Sequence, residues 1–277
     1  MEKRIIVDSC CDLTQEMRDE MNIVSIPLTM ALGDDVFRDD ESLDLADFKY
    51  RVSQYSGKTS SASPSPYLFE KAIEGAKESF VVTLSSKLSG SYGNAVIGNG
   101  DAVENGSEPA HVFDSKSASA GETLIAIKLH ELIKAGMSKV QIVETVERFI
   151  SELKTYFVLQ DFSNLQKNGR LGKITGTLIQ MLNIKLVMGA DGNGDIALYE
   201  KCRGITKAIQ QLVTLIERSG KDTKNENLVI SHCNNPSLAE QLKTFIQERC
   251  QFKKIYIVPT GGLSTLYADD KGIVMAF

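Results

Sequence analysis

The stretch Phe80-Val81-Val82-Thr83-Leu84-Ser85-Ser86-Lys87-Leu88-Ser89-Gly90-Ser91-Tyr92-Gly93-Asn94-Ala95 joins two kinds of sequence. Phe80–Leu84 is a short apolar run rich in β-formers and bounded by turn residues, which predicts a buried strand. Tyr92–Ile97 reads as the start of a helix. The junction between them, Ser85–Ser91, carries four serine hydroxyls and one lysine. A strand that feeds a helix through such a loop aims free N–H groups and hydroxyls past the strand end, a setting that suits a small anion. Gly90 and Gly93 would let a ligand or another backbone come close. The plain alternative is an ordinary loop in which Ser89 or Ser91 caps the helix.

Working outward, the same strand–loop–helix grammar recurs. Arg4–Val7 is a strand followed by Asp8-Ser9-Cys10-Cys11-Asp12 and a helix from about Thr14. Ile23–Ala31 reads as a second strand, Val36–Arg38 as a hairpin arm, and a helix begins near Ser42 or Asp44. Asp39-Asp40-Glu41 reads as a solvated acidic face. Thr59–Pro66 is so rich in Ser and Pro that it predicts an exposed loop ahead of a helix from Pro66. Ala110–Phe113 is a strand leading into Asp114–Gly121, another hydroxyl-rich junction, and Ser138–Gln141 is a capping box. Alternating strands and helices predict a doubly wound, mostly parallel sheet, whose strand-end loops gather along one edge where ligands bind. Three of those loops, Asp8-Ser9, Ser85–Ser91 and Asp114–Ser119, are rich in hydroxyls.

The second half changes character. A strand over Thr155–Gln160 precedes a basic, turn-rich loop through Arg170 and a short helix over 174–183. Ile184–Ala190 and Ile196–Cys202 flank Asp191–Asp195, a hairpin signal. Helices at Thr206–Glu217 and Pro236–Cys250 alternate with strands at Leu228–Ser231, Ile255–Val258 and Ile273–Phe277. The fold class expected is α/β: an N-terminal doubly wound parallel-sheet domain, 1–157, and a C-terminal α+β domain with an antiparallel sheet, 158–277.

At 277 residues, with 42% hydrophobic and 24% charged residues, the chain reads as an ordinary globular protein. A net charge of −5 argues against nucleic-acid binding. No apolar stretch approaches the ~20 residues of a membrane span. The five cysteines follow no zinc spacing and are read as reduced thiols in the cytoplasm. No metal site or cofactor is implied, and no P-loop, dinucleotide fingerprint or nucleophile elbow occurs. His111 and His130 read as structural; His232 follows a strand end with no obvious carboxylate partner. Cys10-Cys11 invites a redox reading, but a loop cysteine without a base is more often inert. The residues suggest binding, with no catalytic residue assigned.

The order of motifs resembles the DegV family over essentially the whole chain. The matching pieces are Ile6-Val7-Asp8-Ser9 with Asp12-Leu13, Ile26-Pro27-Leu28, Ser61–Pro66, Ser85–Tyr92 and Asp114–Ala118. In the second half they are Asn168-Gly169-Arg170, Leu182–Lys185 and Glu200–Gly204. The resemblance implies a long-chain fatty acid held between an α/β and an α+β domain. In some members it also implies that the carboxylate is presented to a separate fatty acid kinase. It further implies that Ser61 and Ser89 hold the carboxylate, with Ser91 and Ser117 in the same hydroxyl-rich edge, that Arg170 lies near the head group, and that Arg203 meets the kinase. Kinase-linked members carry a His in a Gly- and Thr-rich turn near the C-terminus, where this chain has Ser264–Asp270 without one. Burying about fourteen methylenes at ~0.8 kcal/mol each gives on the order of 11 kcal/mol, so the tail would dominate affinity and the serines orientation. Met181, Leu182, Ile184 and Leu186 are candidates for an apolar wall. The reading from another class is an enzyme of phosphoryl or acyl transfer using the hydroxyl-rich cleft on a small anion or polyol.

Overall fold

In the computed structural model the described residues are 3–172 and 183–277. Of the short helix expected over 174–183, all but Asn183 falls outside the described residues, and so do Met181 and Leu182.

The first half builds two sheets. Strands β1 (Lys3–Asp8), β2 (Ile23–Ile26), β6 (Glu78–Thr83) and β7 (His111–Asp114) form a parallel sheet in the order β2-β1-β6-β7. A smaller antiparallel sheet has the order β4-β3-β5, from β3 (Thr29–Leu32), β4 (Asp35–Arg38) and β5 (Thr59–Ala62). The continuous run expected over Ile23–Ala31 is therefore two strands in two sheets. Pro27 has no N–H to donate to a ladder, and beyond it the Leu28 N–H turns to Ser9 Oγ at 3.0 Å. Likewise Thr59–Ala62 of the Ser/Pro-rich segment is a strand, registered Ser61 to Met30.

The helices of this half are α1 (Gln15–Met21), α2 (Leu45–Gln54), α3 (Pro66–Ile73), α4 (Ser91–Glu104), α5 (Ala120–Lys134) and α6 (Lys139–Glu152). Thr14 and Asp44 cap α1 and α2, and Ser138 with Gln141 closes the capping box of α6. Helices α3 and α4 cross so closely that a Cβ on Gly98 would stand 2.3 Å from the carbonyl oxygen of Pro66.

The second half forms a six-stranded sheet, β10-β9-β8-β13-β11-β12. Its strands are β8 (Thr155–Val158), β9 (Ile184–Ala190), β10 (Ile196–Arg203), β11 (Asn227–His232), β12 (Lys254–Pro259) and β13 (Ile273–Ala276). All its pairings are antiparallel except β11 with β12, which are linked by a helix and run parallel. The remaining helices are α7 (Ser163–Lys167), α8 (Ile205–Arg218), α9 (Pro236–Arg249) and α10 (Gly262–Ala268). The boundary expected at 157/158 falls inside β8, which pairs with both β9 and β13.

Helix α5 lies between the two large sheets. Its residues from Ala120 to Ile127 are all buried, and its core takes in Val7 and Val82 from one sheet and Val229, Val274 and Ala276 from the other. One shared core thus fixes how the strand ends of the two sheets face each other.

Candidate functional site

The parallel sheet reverses its winding between β1 and β6, and the loops after those strands flank the switch point, where open α/β sheets take their ligands. The Asp8 carboxylate holds the two loops together, accepting the Leu84 N–H at 3.0 Å and the Cys10 N–H at 3.1 Å. The third loop joins through Ser85 N–H to the Ser117 carbonyl at 2.8 Å. The three serine-bearing loops therefore do converge. Most of their hydroxyls, however, are consumed within the fold. Ser9 accepts from Leu28, Ser85 donates to the Gly194 carbonyl, and Ser86 donates to Asp114. Ser115 donates to the Ser117 carbonyl, and Ser119 to Asp12.

Over this edge lies an elongated cavity of about 870 Å³ of atom-free space, counting its open mouth. One wall is Leu28, Leu84, Leu88 and Ala118 from the first half of the chain. The facing wall is Phe157, Leu159, Ile196, Leu263 and Val274. Strand alternation explains the second wall: Thr155 and Phe157 of β8 point into the cavity, while Tyr156 and Val158 point the other way, into the core under α8. Ile184 and Leu186 do not line it.

Polar side chains also line the cavity, Lys116, Thr155, Asp195 and Ser264 among them, and four more are linked by short contacts. Ser61 lies 2.7 Å, Oγ to phenol oxygen, from Tyr267 of α10. Ser89 accepts the Ser91 N–H at 3.2 Å and lies 3.1 Å from Ser91 Oγ. Arg170 donates through Nε to the Leu88 carbonyl at 3.2 Å, and its guanidinium sits 5.9 Å from the centre of the Tyr267 ring. Ser61, Ser89, Arg170 and Tyr267 all line the cavity and are half-buried. Ser91 is fully buried behind Ser89 and does not line it. Ser117 lines it, with its hydroxyl 2.6 Å from Thr155.

Tyr267, like Lys116, Thr155 and Asp195, lines the cavity without being a candidate from the sequence. It stands in the Gly- and Thr-rich C-terminal stretch; its signal there was an aromatic hydroxyl on a short apolar turn. Asn164 ties that turn down by donating to the Leu266 carbonyl at 2.9 Å and bonding Thr59 at 3.0 Å. At the front of the turn, Asp39 accepts the N–H groups of Gly262 at 2.9 Å and Leu263 at 2.8 Å. The expectation that Asp39 belongs to a solvated face is thus corrected: it is 9% exposed and bonded to the start of α10.

Behind the cavity lies a buried carboxyl cluster. Burial pushes Asp8 and Asp12 up to about 6, and Glu122, fully buried beside Asp8, is raised well above the usual range. Both Glu122 oxygens lack a hydrogen-bond partner among the described residues. Cys10 lines the cavity and Cys11 sits in the core. Burial and the negative field of this cluster push both thiols up, so neither is a thiolate nucleophile.

Arg203 lies elsewhere. It is exposed in a separate polar groove between β10, α8 and α9, with Lys207, Gln210, Thr214, Phe245 and Arg249. No helix among the described residues is long and apolar enough to cross a membrane.

The sequence profile described as "Uncharacterised protein, DegV family" matches residues 3–276. A DegV domain-containing protein of Streptococcus pneumoniae is 36% identical over 277 residues, covering 99% of this chain and 98% of that one. A DegV family protein from Ruminococcus gnavus, refined with vaccenic acid, superposes with a TM-score of 0.95 at 37% identity, over 99% of both chains. The Fatty Acid Kinase B3 protein of Streptococcus pneumoniae, loaded with linoleic acid, superposes with a TM-score of 0.89 at 34% identity, over 100% of this chain and 99% of that one. With its profile, its relatives and its superposition on solved structures in agreement, the chain belongs to the DegV family.

Proposed function

We propose that this protein binds a long-chain fatty acid, tail in the apolar cavity and carboxylate at the Ser61–Ser89–Tyr267–Arg170 end. We further propose that it presents the acid to a fatty acid kinase in the cytoplasm, any chemistry on the carboxyl being the partner's. The observation that carries the reading is a cavity lined largely by leucine, phenylalanine, isoleucine, valine and alanine, within which Ser61, Tyr267 and Arg170 are joined by short contacts beside Ser89. Hydroxyl protons can be counted there. Ser61 and Tyr267 share one bond, which leaves one O–H of the pair to donate to a ligand oxygen. Ser89 already accepts from the Ser91 N–H, so its proton is free to turn between Ser91 Oγ and the cavity. Two donors suit two carboxylate oxygens, and Arg170 supplies the compensating charge. The bound molecules of the Ruminococcus and pneumococcal relatives, vaccenic and linoleic acid, support the substrate class.

Within this reading, Ser91 backs Ser89, and Ser117 lines the tail cavity with its hydroxyl turned to Thr155. We also propose two lobes, with α5 and β8 at their junction. The test is denaturing extraction and mass spectrometry of protein made in a bacterial host. Roughly one C14–C18 fatty acid per chain is expected; protein that carries none and takes up neither labelled oleate nor labelled palmitate ends the reading.

A further inference from the structure

Helix α10 is seven residues long, and four of the eight positions from Gly261 to Ala268 line the cavity: Leu263, Ser264, Tyr267 and Ala268. Two turns of helix do not hold their shape alone; a helix this short is fixed by what grips its ends. Both grips come from earlier in the chain. At the front, three successive backbone N–H groups are taken by two buried carboxylates, Gly261 by Asp12 at 2.8 Å, and Gly262 and Leu263 by Asp39. At the back, Asn164 holds the Leu266 carbonyl and Ser61 meets the Tyr267 phenol.

Asp39 stands out among these because its whole carboxylate is given to α10, whereas Asp12 spends one oxygen on Gly261 and the other on Ser119. It follows β4 in the small sheet, does not line the cavity, and uses both carboxylate oxygens on α10. Its approach demands a glycine: a Cβ on Gly262 would lie 2.5 Å from Asp39 Oδ1 and 2.7 Å from both the Leu43 and Met30 side chains. The carboxylate also sits where the helix dipole favours negative charge.

The small sheet therefore packs Met30 of β3 against α10 and reaches it by hydrogen bonds through Asp39 after β4 and Ser61 on β5. From Leu263 to Tyr267 the helix rises about 6 Å. A small tilt at the front therefore becomes a displacement of several tenths of an ångström at the phenol, enough to break a hydrogen bond.

We infer that Asp39 is a positioning residue for the ligand head group, acting through α10 to set the Tyr267 hydroxyl against Ser61. The inference rests on the fatty-acid reading, since it is the carboxylate end of the ligand that the phenol would meet.

The test separates positioning from general stability. Release of radiolabelled oleate is measured for wild type, Asp39→Asn, Tyr267→Phe and the double variant, and amide hydrogen exchange of 262–268 is followed in the lipid-free protein. Asp39→Asn is expected to speed release at least about fivefold in the wild-type background, but less than about twofold once Tyr267 is Phe, because coupled residues do not add. Exchange over 262–268 is expected to rise in Asp39→Asn and not in Tyr267→Phe. Gly262→Ala, which pushes on the same carboxylate from the other side without changing charge, is expected to reproduce both effects and stands in if Asp39→Asn does not fold. Equal factors in the two backgrounds, or unchanged exchange over α10 in lipid-free Asp39→Asn that still takes up oleate, would overturn the inference about Asp39 alone. Wild-type protein that binds no oleate would remove the fatty-acid reading and the head-group role together, while a rise in exchange would still register the grip on α10.

Discussion

The phenol of Tyr267 and the hydroxyl of Ser61 meet at 2.7 Å although 206 positions separate them in sequence. That contact joins the last short helix of the second half to the edge of the small sheet in the first, in the lining of the cavity. Tyr267→Phe keeps the ring beside the Arg170 guanidinium but removes the phenol O–H. Fatty-acid affinity is expected to fall about 3- to 10-fold, the size of one hydrogen bond to a charged oxygen, with the melting temperature little changed. Titration with a fluorescent fatty acid checks it.

Ser61→Ala with Ser89→Ala removes a donor from each of the two hydroxyl pairs. The Tyr267 phenol then remains to donate for the first pair while the Ser89 donor is lost outright, and affinity is expected to drop by at least about 3-fold while circular dichroism stays native. Unchanged affinity in the double variant would place the carboxylate at another part of the cavity.

One helix offers an internal control on packing. Gly93, Gly98 and Gly100 all lie in α4, yet a Cβ meets the Pro66 carbonyl oxygen only at Gly98, at 2.3 Å, and has open space at the other two. Gly98→Ala is expected to cost about 1–3 kcal/mol, because the neighbour is backbone and cannot swing aside. Gly93→Ala and Gly100→Ala are expected to stabilise by about 0.5–1 kcal/mol through helix propensity alone. Thermal melts of the three variants decide between a packing role and a mere tolerance of glycine.

The buried carboxyls give a pH signature of unusual sign. Asp8 and Asp12 titrate near 6 in the fold against about 3.9 in an unfolded chain. Between those values the native state holds more protons than the unfolded one, so stability falls as pH rises through that window. The melting temperature is therefore expected to be higher at pH 5.5 than at 7.5, and Asp12→Asn to flatten that slope. Glu122 is raised in the same direction by burial and by Asp8, and both its oxygens lack a partner among the described residues, so Glu122→Gln is expected to leave the melt at pH 7.5 unchanged or raise it. A melting temperature that climbs steadily from pH 5.5 to 7.5 would contradict this assignment.

Periodic elements were legible in the sequence and tertiary partners were not. Ile184–Ala190 and the capping box at Ser138 sit where the pattern puts them, because local spacing and side-chain chemistry suffice to specify them. Asp39 looked like one acid in a solvated run, since nothing in a sequence says that two N–H groups from residues 262 and 263 will arrive to meet it. The Ser/Pro-rich segment looked like loop because its pairing partner, β3, is itself cut short by Pro27. The richness of the strand ends in serine pointed correctly to the edge that carries the cavity. It overstated how many hydroxyls face that cavity, because Ser9, Ser85 and Ser119 are spent in tying the loops together.

Arg203 ends β10 and precedes Gly204, whose φ of 83° turns the chain into α8. Its side chain is exposed and makes no ion pair or hydrogen bond among the described residues, whereas nearby Arg218 pairs with Glu200 at 3.4 Å and Arg249 with Glu217. A guanidinium left unpaired beside Lys207 in a polar groove is suited to meet a partner's carboxylate bidentately, which lysine cannot copy. It also lies apart from the cavity, so the two proposed roles can be separated by mutation. Arg203→Ala is expected to retain bound fatty acid and an unchanged melting temperature, and to lose most of the phosphorylation of that fatty acid by a fatty acid kinase; Arg203→Lys should recover only part of it. Loss of lipid or of stability in Arg203→Ala would make the residue structural, and turnover at the wild-type rate would remove it from the docking surface.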